Sequence, residues 1–129
     1  MFIMNPEKQI ALFSNDLGIV THYTQVLSPQ YKVVGVAQTI TEVRQLASQL
    51  DSDHVSVAVV AAREAIGGDQ VGKEYCRTVR EGSRNATIFA RYNCRPIPEA
   101  GYNLLRNSPD QEFLDQLTFI YMFSFLYVH

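Results

Sequence analysis

The residue best suited to covalent chemistry in this chain is Cys94, which is followed directly by Arg95. A nearby cation lowers the pKa of a thiol, so this pair could supply a nucleophile. A phosphatase loop would need an arginine six positions after the cysteine, and that position holds Ala100. Cys76, the other cysteine, has no C-x-x-C partner, so neither a disulfide framework nor a zinc site is indicated. We expect two buried, reduced thiols and no catalytic residue.

Asp16 is a second candidate, because a carboxylate can bind a divalent cation. The residue before it, Asn15, is neutral, which leaves one carboxylate where such a cation usually has several oxygen ligands. His22 and His54 lie two predicted elements apart and His129 is the last residue, so the histidines form no acid–base or ligand pair. We predict that Asp16 is solvated at a strand end, and that no metal or cofactor is bound.

Basic residues are concentrated in the second half of the chain. Residues 63–106 hold eight basic and five acidic side chains, a net charge of +3, whereas residues 1–62 and 107–129 carry −2 and −3. Four arginines could surround one end of the fold and hold an anion or a partner's carboxylate: Arg63, Arg91, Arg95 and Arg106. Ordinary salt bridges to Glu64, Asp69 or Glu99 are the other interpretation of this charge.

The composition of the whole chain indicates one compact domain over residues 1–129. The chain has a net charge of −2 and is 47% hydrophobic, which is enough apolar mass for one core. Such a charge does not support binding to nucleic acid or to a membrane surface by bulk positive charge. The longest apolar stretch, Leu117 to Val128, is shorter than the roughly 20 residues of a spanning helix. The N-terminus lacks a secretory signal pattern, and we expect a cytoplasmic protein.

Apolar runs and helical periodicity predict five strands and four helices. The strands are predicted over Gln9 to Ser14, Tyr31 to Ala37, His54 to Ala61, Ala86 to Ala90 and Tyr102 to Arg106. The helices are predicted over Leu17 to Leu27, from Thr39 or Thr41 to Leu50, over Val71 to Arg80 and from about Asp110. Two prolines in the segment 93–98 exclude a regular helix between the fourth and fifth strands.

Strands that alternate with helices indicate a mostly parallel sheet with helices on both faces. We therefore predict a five-stranded, flavodoxin-like αβα sandwich. The helix that would connect its fourth and fifth strands, which is the fourth of five helices in such a fold, is shortened or lost. The chain contains neither G-x-G-x-x-G after its first strand nor G-x-x-x-x-G-K-[ST], so dinucleotide and P-loop sites are excluded.

The order of elements and three local patterns resemble the receiver domain of bacterial response regulators in two-component systems. Asn15-Asp16 stands where receivers carry an acidic pair, and Gly72 opens a helix as a receiver glycine does. Ala100-Gly101 precedes a short strand, as in receivers, although Arg106-Asn107 replaces the usual Lys-Pro after it. The resemblance extends from about Gln9 to Tyr127 and implies the receiver fold.

The same resemblance locates the position that would accept a phosphoryl group, at the end of the third strand. If that strand ends with its apolar run, the position holds Ala61 or Ala62, neither of which can accept phosphate. Counting back from Gly72 by the family's spacing gives Glu64 instead, which resembles a fixed phosphomimic. We favour the alanines, because the other register would bury the charge of Arg63.

The remaining receiver positions are also changed. The hydroxyl of the fourth strand falls on Ala90 or Arg91, and the lysine after the fifth strand falls on Arg106. Arginine keeps the charge but not the point-charge geometry of lysine. With the fourth helix missing as well, the chain resembles pseudo-receivers more than switchable receivers.

The last helix carries apolar residues on two faces, and a helix of this kind is usually buried on both sides. Phe113, Leu117, Ile120, Tyr121 and Ser124 can face the sheet. A second face then presents Phe119, Met122, Phe123, Leu126 and Tyr127. The alternative is that the aromatic stretch from Phe119 to Val128 forms a strand, or that it folds onto the connection between the fourth and fifth strands.

The sequence thus supports two hypotheses. The first is a non-phosphorylated, receiver-like signalling module, not an enzyme, that acts by protein association, as a homodimer through the last helix or with another protein. The alternative is a domain that binds a small ligand or anion at the carboxyl ends of the strands, near Ser14, Asn15, Arg63 and Arg91.

Overall fold

The computed structural model describes residues 8–50, 56–65 and 67–127, with side chains to Phe123. The strands are β1 (Gln9–Phe13), β2 (Lys32–Ala37), β3 (Ser56–Val60), β4 (Thr87–Tyr92) and β5 (Tyr102–Leu105). The helices are α1 (Leu17–Leu27), α2 (Ile40–Ser48), α3 (Gln70–Gly82) and α4 (Asp110–Tyr127). His54 and Val55, which the sequence assigned to the third strand, lie outside the described residues.

The five strands form one sheet in the order β2-β1-β3-β4-β5, and all four pairings are parallel. This order places β1 and β3 at the centre, where the sequence has its most continuous apolar runs. The predicted flavodoxin-like architecture is confirmed.

Capping side chains explain where two of the helices begin. Asp16 accepts a hydrogen bond from the backbone N–H of Ile19 at the start of α1. Thr39 accepts from Glu42 N, and the Glu42 carboxylate accepts from Thr39 N in return, which completes a capping box at α2. Of the two threonines that the sequence offered as caps, the structure uses Thr39.

Two apolar cores lie on the two faces of the sheet. One is formed with α1 and α4, and it contains residues such as Ile10, Leu12, Tyr23, Val57, Phe89, Phe113, Leu117, Ile120 and Tyr121. The other is formed with α2 and α3, and it contains residues such as Ala11, Phe13, Val43, Ala47, Val60, Tyr75, Cys76, Ile88 and Ile97. The four residues of α4 in the first core belong to the face that the sequence predicted to be inward.

Residues 93–101, here called the strap, connect β4 to β5 without a helix. The side-chain amide of Asn103 accepts from Ile97 N and donates to Ile97 O, and Ile97 is buried. A Cβ on Gly72 would lie only 3.0 Å from Ile97 Cδ1, so glycine at this position lets the strap pack closely against α3. Ile97 and Ala100 of the strap are buried in the core that is formed with α2 and α3, so the strap covers this core where no helix does.

The last helix is formed as predicted and includes Phe119 to Tyr127, so the alternative of a strand over this stretch is wrong. The expectation of two buried thiols is wrong for one of them. Cys76 is buried as expected, but Cys94 is exposed, because the strap turns its backbone N–H groups inward and its side chain outward. Burial raises the pKa of the Cys76 thiol to about 12, with the charge of Glu99 adding to the shift, which keeps this thiol protonated near neutral pH.

Candidate functional site

The carboxyl ends of the parallel strands meet at one edge of the sheet, here called the carboxyl edge. Asn15 lies there and forms two hydrogen bonds with the backbone of Arg63. Its amide nitrogen donates to Arg63 O at 2.9 Å, and its oxygen accepts from Arg63 N at 2.7 Å. Asn15 therefore joins the turn after β1 to the loop after β3.

Both carboxylate oxygens of Asp16 have donors within the chain. One oxygen accepts from Ile19 N at 2.9 Å, and the other lies 2.6 Å from Arg63 Nε. The hydrogen bond from Ile19 N holds the pKa of Asp16 below its usual value; desolvation opposes this shift, and the charge of Arg63 adds to it. Asp16 thus serves as a helix cap and an ion-pair partner in this structure.

The residue that directly follows β3 is Ala61, and both Ala61 and Ala62 are buried. The end of β3 therefore presents methyl groups and backbone at the point that the sequence resemblance favoured for the acceptor. Arg106 lies against this point, because its Nη1 donates to Ala62 O at 2.9 Å. This guanidinium is thus bound to a main-chain carbonyl of the same chain.

Glu64 binds the start of α3. Its two carboxylate oxygens accept from Val71 N and Gly72 N, each at 2.8 Å. A carboxylate is favourable at a helix N-terminus, where free N–H groups carry partial positive charge. The carboxylate of Glu64 therefore stabilises the N-terminal end of α3.

Asp69 binds the strap in a similar way. Its buried carboxylate accepts from three successive backbone N–H groups, those of Asn93 at 2.6 Å, Cys94 at 2.9 Å and Arg95 at 3.0 Å. Desolvation raises the pKa of Asp69, but these three hydrogen bonds and the nearby charge of Lys73 outweigh it and lower the pKa overall. This carboxylate fastens the strap to the start of α3.

Ala90 and Arg91, the candidates for the hydroxyl position, are both buried. Alternate residues of a strand face opposite sides of the sheet, and Arg91 faces α1 and α4. Its Cζ lies 5.0 Å from the ring centroid of Phe113 and 5.8 Å from that of Tyr23. Its Nη2 donates to three carbonyl oxygens at the turn before α4, those of Leu105, Arg106 and Ser108.

This placement corrects one expectation. The sequence grouped Arg91 with the arginines that could hold an anion at an open end of the fold, but only 2% of its surface is exposed. Its position near the end of a strand gave no sign that the side chain turns back into the core between two aromatic rings.

The outward side of α4 has a different character. Four exposed residues, here called the outer stripe, follow one another at spacings of three, four and three along the helix: Glu112, Asp115, Phe119 and Met122. Phe119 is 56% exposed and Met122 is 62% exposed. Phe123 flanks the stripe, with its ring centroid 4.4 Å from that of Phe119. The side chains of Leu126 and Tyr127, also predicted for this face, lie outside the described part of the chain.

Among the described residues, no three His, Cys, Asp or Glu side chains are grouped so that they could hold a metal ion. None of the described helices combines the length and hydropathy needed to cross a bilayer.

Sequence reasoning missed the roles of Glu64 and Asp69. Both acidic residues precede α3, where acidic residues commonly cap a helix, but that pattern does not reveal that Asp69 binds a segment 24 to 26 residues further along the chain. The three N–H groups that it binds belong to a loop whose path depends on the whole sheet.

No family model matches this chain. No curated protein matches it either. Solved structures do: the signal receiver domain of an HD domain-containing protein from Pseudomonas fluorescens Pf-5 has a TM-score of 0.66 and 19% identity, over 92% of this chain and 89% of that chain. A CheY-like receiver domain protein from Methanospirillum hungatei JF-1 has a TM-score of 0.65 and 12% identity, over 90% and 95%.

A third structure, the Vibrio cholerae chemotaxis protein CheY4, has a TM-score of 0.64 and 16% identity, over 87% of this chain and 97% of that chain. These identities are low, so the likeness concerns the fold. The shared fold is the parallel five-stranded sheet described above, with helices on both faces. The chain has the receiver fold, as the sequence resemblance predicted.

Proposed function

We propose that this chain is a cytoplasmic, receiver-like signalling module that takes up no phosphoryl group, catalyses no reaction and acts by protein association through the outer face of α4. The observation that carries this proposal is at the end of β3, where the next residue is the buried Ala61 and Arg106 binds the carbonyl of Ala62. We take this point as the acceptor position, in the register that the sequence favours. Without an acceptor oxygen, a phosphoryl group has no covalent attachment point at that position.

The acidic residues around the carboxyl edge support the proposal, because each already has donors inside the protein. Asp16 caps α1 and pairs with Arg63. Glu64 and Asp69 bind backbone N–H groups of α3 and of the strap. A Mg²⁺ ion at Asp16 would compete with the Ile19 N–H and the Arg63 guanidinium for the same carboxylate.

The outer face of α4 supports the second part of the proposal. Phe119 and Met122 expose large apolar surfaces next to each other on a helix whose other side is buried in the core. Large apolar groups that are exposed together mark association sites more often than single exposed ones do. A second copy of this chain is the partner that we propose for the apolar half of this face, which gives a homodimer.

The test of the first part is incubation with a small phosphodonor and Mg²⁺, followed by intact-mass measurement and peptide mapping. We expect no mass increase, whereas a matched receiver with its acceptor aspartate gains one phosphoryl group. Stable incorporation at Asp16 or Glu64 would overturn the proposal.

The alternative of a small-ligand or anion site at the carboxyl edge receives less support. Arg91 is buried in the core, Arg63 pairs with Asp16, and the amide of Asn15 is bonded to backbone. A thermal-shift screen with nucleotides and phosphate separates the two functions, because a ligand that binds only the folded state raises Tm. We expect no shift.

A further inference from the structure

The outer stripe changes its chemistry halfway along α4. Its first two members, Glu112 and Asp115, are acidic, and its last two, Phe119 and Met122, are apolar. All four are exposed and lie on one side of the helix, because steps of three and four residues return to the same face. The stripe is about 15 Å long at 1.5 Å per residue.

A second copy of the chain can match only one half of this stripe. If two α4 helices cross at Phe119 and Met122, the apolar halves cover each other. The acidic halves then either approach one another or remain in solvent, and like charges that approach repel. Residues 107–129 carry −3 in total with no Lys or Arg, so a second α4 offers no basic partner to these carboxylates.

Resting on the proposed function, we propose that the outer stripe binds an amphipathic helix of another protein that is apolar in its first half and basic in its second half, running antiparallel to α4. In that arrangement the apolar half of the partner covers Phe119 and Met122, and its Lys or Arg residues lie beside Glu112 and Asp115. This partner complements the whole stripe, so it displaces the second copy from a homodimer.

The direction of the partner follows from helix dipoles. The acidic half of the stripe lies in the first turns of α4, where the helix end carries partial positive charge. An antiparallel partner places its own C-terminal end there, and basic residues are favourable at a helix C-terminus. At this end of the pair, the acidic residues of α4 lie beside basic residues, and the positive end of one helix dipole lies beside the negative end of the other. A parallel partner would place two positive dipole ends side by side.

The experiment uses the full chain and designed peptides as probes. One labelled, alanine-rich helical peptide carries leucines at heptad spacing in its first half and lysines on the same stripe in its second half. A second peptide has the two halves in reverse order, and a third has glutamates in place of the lysines. Fluorescence anisotropy gives Kd for each peptide, and light scattering follows the mass of the protein.

We expect the first peptide to bind with a Kd about tenfold lower than that of the glutamate peptide, which cannot form the two charge pairs. The reversed peptide can form these pairs only as a parallel helix with its lysines at the unfavourable helix end, so we expect its Kd to be about threefold higher than that of the first peptide. The double variant Glu112→Gln, Asp115→Asn should weaken this binding by about tenfold and leave the homodimer intact. Raising NaCl from about 50 to about 300 mM should weaken peptide binding, because salt screens opposite charges. A Phe119→Glu variant that remains folded should bind none of the peptides.

Equal affinity for the three peptides, or an unchanged Kd in the double variant, would overturn the inference, even if the homodimer forms as proposed. Uptake of phosphate at the carboxyl edge would instead overturn the proposed function, whatever the peptides do. The two failures are therefore distinguishable.

Discussion

The carboxyl edge and the outer stripe differ in how completely their side chains are used by the fold. At the edge, Asp16, Glu64 and Asp69 each accept hydrogen bonds from backbone N–H groups of the chain itself. On α4, Phe119 and Met122 expose more than half of their surface. The acidic side chains at the edge are bound by other groups of the chain, whereas the apolar side chains of the stripe are exposed to solvent.

Under the proposed function, this difference means that a receiver-like fold is kept while its working surface lies on another element. The carboxylate oxygens of Asp16, Glu64 and Asp69 stabilise loops and helix ends. Asp69 in particular fixes the strap, which connects β4 to β5 without a helix. These polar groups contact the protein itself, whereas Phe119 and Met122 face solvent.

The largest expected effect separates the two sides of α4. Phe113 is fully buried between Tyr23 and Phe89, so Phe113→Ala should lower the free energy of unfolding by about 3–5 kcal/mol. Phe119→Ala on the outer stripe should change the stability of the monomer by no more than about 0.5 kcal/mol. Urea denaturation at low protein concentration measures both. Similar losses would mean that Phe119 is packed within the monomer.

An intermediate effect is expected at the carboxyl edge. Asp69→Asn removes the charge that three backbone N–H groups share, and we expect a loss of about 2 kcal/mol at neutral pH. Asp115→Asn is the matched control, because Asp115 is exposed, and it should be nearly neutral in the monomer. An equally small loss at Asp69 would show that the strap does not depend on this carboxylate.

The same residue predicts a dependence on pH. The folded state lowers the pKa of Asp69 below its ordinary value of 3.8, so its contribution is complete above about pH 5. That contribution is lost as the pH falls through the lowered pKa, because the unfolded state binds the proton first. Urea denaturation between about pH 5 and pH 2.5 should therefore give a steeper loss of stability for the wild type than for Asp69→Asn. Parallel curves would contradict the assignment.

The smallest expected effect is at the start of α3. Glu64→Gln keeps one oxygen acceptor where two N–H groups, of Val71 and Gly72, now have two, and it removes the charge from the helix end, which should cost about 1 kcal/mol. Glu81→Gln, an exposed change near the other end of α3, provides the control and should not destabilise the protein. If Glu81→Gln lowered the free energy of unfolding as much as Glu64→Gln does, the contacts of Glu64 with the start of α3 would not be stabilising.

The sequence predicted the fold because its local signals agree with one another. The bounds of α1 match its apolar spacing from Leu17 to Leu27, and the prolines of the strap excluded a helix there. The apolar run of the third strand also marks its end, because β3 ends at Val60, one residue before Ala61.

The contacts at the edge could not be predicted in the same way. Asp69 binds a strap 24 to 26 residues away, and Arg91 turns into the core between Tyr23 and Phe113. Such contacts depend on how separate elements meet in space, which periodicity along the chain does not record.

The most direct test of the central claim is the solution mass of the chain, measured by light scattering. We expect a dimer for the wild type and a folded monomer for the double variant Phe119→Glu, Met122→Glu. The matched control Gln45→Glu, Gln70→Glu adds the same charge at exposed positions of α2 and α3, on the other face of the sheet from α4, and should remain dimeric. A wild type that is monomeric at all concentrations, or a dimer that persists in the Phe119→Glu, Met122→Glu variant, would contradict association through the outer face of α4.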